Sequence, residues 1–120
     1  MQDFRSLKVW EKSHALALAV YKLTAKFPTE EKFGLTIQMR RSAAAVPTHI
    51  AEGCGSLDGQ DYGRFLQSAL RSACELEYQL LLSKDLTYTP AEVYSDLEPR
   101  VTEVKKMLTA YIQRIRTGNL

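Results

Sequence analysis

Long apolar runs, metal-ligand clusters and phosphate-binding glycine loops are all missing from these 120 residues. No apolar stretch reaches the roughly 18 residues of a membrane span, and no secretory leader precedes the first helical segment. A cytoplasmic protein without a membrane partner is therefore expected. Cysteine is scarce: Cys54 and Cys74 stand far apart with no CxxC pair, which predicts buried, reduced thiols. His14 and His49 are the only histidines, and no HxxxH, HExxH or Cys/His cluster occurs, so no metal site is expected. No glycine pattern has P-loop or dinucleotide spacing, and GxSxG is absent. Nothing marks a base for Cys54. Glu52, Glu75 and Glu77 suit ion pairing with nearby arginines better than acid–base work. The expectation is a non-enzyme that needs no cofactor. A net charge of +2 is too small by itself to imply a nucleic-acid partner.

What is present is long, periodic and apolar on one side. Apolar residues make up 45% and charged residues 25% of the chain, a globular balance. With only six glycines and four prolines, long elements are expected. The stretch from Gly34 to Gly53 organises the rest. Met39, Ala43, Val46 and Ile50 recur at helical spacing, flanked by Arg40 and Arg41. Ala43, Ala44 and Ala45 let a neighbouring helix approach closely. Pro47 lies inside the pattern, where it removes one backbone hydrogen bond at a cost of about 3 kcal/mol.

The first segment is expected from about Ser6, as N-cap, to Lys26. Lys8, Lys12, Lys22 and Lys26 share one face, with Arg5 close by. Leu7, Val9, Trp10, Leu16, Ala17, Leu18, Val20 and Tyr21 fill an apolar arc of roughly 200°, about twice what a surface helix needs. The surplus predicts contact on two sides, the second being another subunit through Trp10, Leu16, Leu18 and Tyr21. Pro28–Phe33 is a connector with one turn led by Pro28.

The third segment is expected from Gly59 to Lys84, behind a capping box of Asp58 and Asp61. Its seam is Tyr62, Leu66, Ala69, Ala73, Leu76 and Leu80, widened by Leu70, Cys74 and Leu81. Arg64, Ser68, Arg71, Glu75 and Gln79 form its solvated face. Glu77 falls inside the apolar arc, so a buried ion pair with Arg40 or Arg41 is expected. The fourth segment starts at Thr89-Pro90, with Thr89 as cap, and a break is expected near Leu97–Pro99. Four helical segments without a strand pattern predict a single all-α domain over 1–120, an antiparallel up-down-up-down four-helix bundle.

The blocks Leu7-x-x-Trp10, Phe27-Pro28, Phe33-Gly34-Leu35, Gln38-Met39-Arg40-Arg41, Val46-Pro47 and Ile50-Ala51-Glu52-Gly53 carry a resemblance. So do Arg64-Phe65-Leu66 and Glu75-Leu76-Glu77-x-Gln79-Leu80. Together they resemble the four-helix-bundle proteins named for intervening sequences in bacterial large-subunit ribosomal RNA genes. The resemblance implies a homopentamer. It also implies distant kinship to the accessory protein of diversity-generating retroelements, which associates with a reverse transcriptase and binds nucleic acid. Nucleic acid or a nucleic-acid enzyme is thus the expected partner, met by charge through Lys8, Lys12, Lys22 and Lys26. The alternative is an assembly or scaffold protein with no nucleic-acid role.

Overall fold

Four helices carry the chain: α1 (Lys8–Thr24), α2 (Leu35–Cys54), α3 (Gly59–Asp85) and α4 (Ala91–Arg116). They come from a computed structural model that describes residues 2–118. Single 3-10 turns at Phe4–Ser6 and Thr29–Glu31 precede α1 and α2. Each helix packs against the next and α4 closes back on α1, while the backbones of the diagonal pairs stand farther apart. This is the antiparallel up-down-up-down bundle, 45 × 24 × 20 Å, and no strand occurs among the described residues.

The core lies where the periodicity put it. Met39, Ala43, Val46 and Ile50 of α2 meet Leu66, Ala69, Ala73, Leu76 and Leu80 of α3, each at most 1% exposed. Val101, Val104 and Leu108 of α4 and Leu16 and Val20 of α1 complete it. The most extensive packing joins α2 to α3. Ala43, Ala69 and Ala73 permit that approach. Gly53 makes it obligatory at the C-terminal end of α2, where a Cβ would stand 2.8 Å from the Tyr62 ring and 3.1 Å from Phe65 Cβ.

The helix ends differ from expectation in four places. Ser6 does not cap α1; its hydroxyl donates to the Asp3 carbonyl, and Leu7 is the cap residue without a side-chain bond. Asp58 does cap α3, accepting from Gln60 N at 2.9 Å, but Asp61 pairs with Arg64 instead of closing the box. Thr89 does not cap α4; its buried hydroxyl lies 2.7 Å from that of Ser83, and Pro90 is the cap residue. Pro99 does not break α4. The carbonyl it leaves without an intrahelical donor belongs to Ser95, an exposed residue, so the lost bond costs little there.

Candidate functional site

Two surfaces have no structural use that exhausts them. The first is an apolar groove between α1 and α2, about 420 Å³ in volume. Trp10, Leu18 and Tyr21 rise from α1, while Ala44, Pro47 and Ala51 form the α2 side. Leu18 is 60% and Tyr21 44% exposed. The walls are held in place. Trp10 stacks on His14 with centroids 4.9 Å apart and tilts against Phe4. The Arg40 guanidinium lies 4.8 Å over the Tyr21 ring. Leu16, expected here, is instead 2% exposed and faces the core. At 100° per residue it points some 200° away from Leu18, so one of the pair is turned inward when the other faces out.

The expected ion pair does not form. Arg40 Nε donates to Thr24 Oγ1 at 2.8 Å, and Nη2 donates to the Tyr21 carbonyl at 3.2 Å. Arg40 therefore satisfies the C-terminal end of α1, which suits its charge. Arg41 is exposed. Glu77 sits on the α4 side of α3, where Lys105 Nζ donates to its Oε1 at 2.7 Å. Its side chain is 37% exposed, so it is not a buried carboxylate. The reason is topological: Arg40 faces α1 and Glu77 faces α4, and helical angle within one segment does not tell which neighbour a face meets. The bond to Glu77 raises the Lys105 pKa above the ordinary lysine value.

The second surface is basic. Lys8, Lys12 and Lys22 are exposed along α1 as expected, while Lys26, expected at its last turn, is exposed in the turn beyond its end at Thr24. They do not form an open stripe. Lys12 Nζ donates to Glu103 Oε1 of α4 at 3.0 Å, which separates Lys8 from Lys22 and Lys26.

Several groups escaped sequence reasoning. Glu31 Oε1 accepts from Leu35 N at 3.0 Å and caps α2, where Gly34 offers no side chain. Its Oε2 accepts from the Tyr88 hydroxyl at 2.9 Å. An acid shortly before a glycine cap was the available signal. Cys54 is buried as expected, and burial raises its thiol pKa, but Cys74 is exposed. The Tyr62 hydroxyl donates to that of Tyr111 at 2.7 Å, which donates to Gln2 Oε1 at 3.5 Å. Burial, then the Tyr111 bond, pushes the Tyr62 pKa up. This network ties the start of the chain to the bundle end, and Gln2 N also donates to the Cys54 carbonyl. Among the described residues no three His, Cys, Asp or Glu side chains converge, and no helix is long and apolar enough to cross a membrane.

A family model described as 23S rRNA-intervening sequence protein matches residues 5–110, and the chain belongs to that family. The crystal structure of a protein of unknown function from the S23 ribosomal protein family of Bacteroides thetaiotaomicron superposes with a TM-score of 0.78 at 28% identity. That match covers 87% of this chain and 97% of the other. No curated protein matches.

Proposed function

We propose that this member of the 23S rRNA-intervening sequence protein family is a non-enzymatic, cytoplasmic, homo-oligomeric binding module. The observation that carries the proposal is the α1/α2 groove. Trp10, Leu18 and Tyr21 form a continuous apolar rim that an isolated bundle leaves in water. Burying such a rim against a second copy is the simplest way to remove it from solvent. A closed ring needs the same contact repeated head to tail. Five copies is the leading count, and that number rests on the family resemblance alone.

The partner in this proposal is nucleic acid or a nucleic-acid enzyme, engaged by charge. Lys8 and Lys22 on α1 and Lys26 just past its end, none of them in an ion pair among the described residues, support it, and a ring multiplies their field. The Lys12–Glu103 pair favours the second reading, an assembly protein with no nucleic-acid role, because it interrupts the stripe. Sedimentation equilibrium combined with oligonucleotide binding separates the two readings. The first requires an oligomer that binds nucleic acid with a steep salt dependence. The second requires an oligomer that binds none. A monomer at micromolar concentration rejects both.

A further inference from the structure

We propose that the groove between the first half of α3 and the last turns of α4 holds the sugar–phosphate backbone of a single-stranded nucleic acid. This rests on the nucleic-acid reading above and adds to it a site beyond the α1 lysines. Two hollows of about 540 and 230 Å³ share Gln67, Ile112 and Arg116, so they form one continuous trough. Gln60 to Arg71 spans eleven residues of α3, about 16 Å at 1.5 Å per residue.

The walls are cationic. Arg64 and Arg71 rise from α3 and Arg116 from α4. Asp61 neutralises Arg64, whereas Arg71 and Arg116 make no ion pair among the described residues. No acid lines the trough. A guanidinium fork matches phosphate oxygens in bidentate fashion. The N-terminal end of α3 adds its positive dipole at the Gln60 end.

The rest of the lining indicates what lies between the charges. Gln60, Gln67 and Gln113 each supply two donors and an acceptor, the complement of phosphate oxygens and sugar hydroxyls. A ligand made only of carboxylates would accept from the amide N–H groups but leave the amide oxygens without a donor. The floor is apolar and shallow at Gly63, where an added Cβ would meet only Ile115 Cγ2, at 3.8 Å. The trough holds no aromatic ring, so binding is to the backbone and neutral to sequence.

The test uses the full chain and fluorescently labelled oligo-dT and oligo-U, with anisotropy read from about 50 to 200 mM salt. Two variants address the trough. Arg71→Gln with Arg116→Gln removes its free charges. Gly63→Met fills the floor without changing any charge, and the 3.8 Å clearance leaves room for its Cβ. Lys8→Gln, Lys12→Gln and Lys22→Gln together serve as the comparison. The double arginine variant should lose about tenfold or more in affinity for DNA and RNA alike. Its slope of log affinity against log salt should flatten by about 1.4, or 0.7 for each of two phosphates. Gly63→Met should weaken binding without lowering the melting temperature, and the lysine variant should lose clearly less affinity than the double arginine variant. Binding by both trough variants at parental strength, with loss in the lysine variant, would overturn the assignment while leaving the nucleic-acid reading intact. Displacement of the strand by poly-glutamate at equal charge would make the trough an acidic-peptide site and overturn it as well. A parent that binds neither oligomer at the lowest salt would remove both the assignment and the reading it rests on.

Discussion

Leu16 and Leu18 stand two residues apart on α1, and their truncations should fail in different ways. Leu16 is 2% exposed inside the bundle. Leu16→Ala removes three buried heavy atoms from a packed core and should cost about 2–5 kcal/mol of folding stability. For a bundle of this size that lowers the melting midpoint by about 8 °C or more. Leu18 is 60% exposed, so the isolated bundle gains little from it. Full burial of a leucine is worth about 1.5–3 kcal/mol, and the exposed share scales this to about 1–2 kcal/mol per subunit contact. Leu18→Ala should weaken each contact by roughly 5–30-fold and leave the fold of the monomer unchanged. Sedimentation equilibrium over a concentration series, run beside circular dichroism melts, reads both quantities. Leu18→Ala should show a dissociation midpoint shifted to higher protein concentration, and its melting temperature should depend more on concentration than the parent's. Equal losses of melting temperature in the two variants, with no change in assembly for Leu18→Ala, would refute the assignment of the α1/α2 groove as the contact.

Glu77→Ala should cost less than about 1 kcal/mol in urea unfolding, because the Glu77–Lys105 pair is about a third exposed; a loss above about 3 kcal/mol would mean a buried pair after all. Lys105 has its folded pKa raised by Glu77, so its stabilisation is complete below the ordinary lysine value of 10.5 and is lost as pH rises through the higher folded value. Alkaline titration above 10.5 should therefore destabilise the parent more than Glu77→Gln, measured by urea midpoint. Glu31→Ala should cost about 1 kcal/mol through loss of the α2 cap, with faster hydrogen exchange at the Leu35 amide; unchanged exchange would show that the bond is dispensable. Gly53→Ala should destabilise by about 1–3 kcal/mol despite the better helix former, because its Cβ meets the Tyr62 ring; a stabilised variant would show that α2 and α3 separate there at little cost.

Helix identity and the inward faces were legible in the residues themselves. Met39, Ala43, Val46 and Ile50, and the Leu66–Leu80 seam, carry a period that has only one meaning in water, because each apolar position must leave solvent together with its neighbours one turn away. The surplus apolar surface of α1 was legible too, and Leu18 and Tyr21 remain outside the core. Local chemistry near helix ends was legible only in part. Asp58 caps as its type suggests, but the Thr89 hydroxyl turned inward to Ser83, since a buried hydroxyl without a partner costs more than an uncapped turn exposed to water.

Tertiary structure alone decided which faces meet. Angular position on α3 did not separate Glu77 cleanly from the solvated residues, since Glu77 is 37% exposed while Gln79, expected on the solvated face, has a buried Oε1, and it carries no information on whether α2 or α4 lies opposite. The bundle places Glu77 against Lys105 and turns Arg40 toward α1. The same holds for the charged surfaces. A row of lysines on α1 looks continuous along one helix, and only the adjacent α4 brings Glu103 to Lys12 and divides it. Arg71 and Arg116 lie 45 positions apart in the chain, on helices whose separate patterns show only solvated or dipole-matched cations. They become one trough because α3 and α4 pack side by side. Periodicity is a property of a single segment, whereas a site made across two helices depends on their relative rotation, which is set by the packing of the whole core.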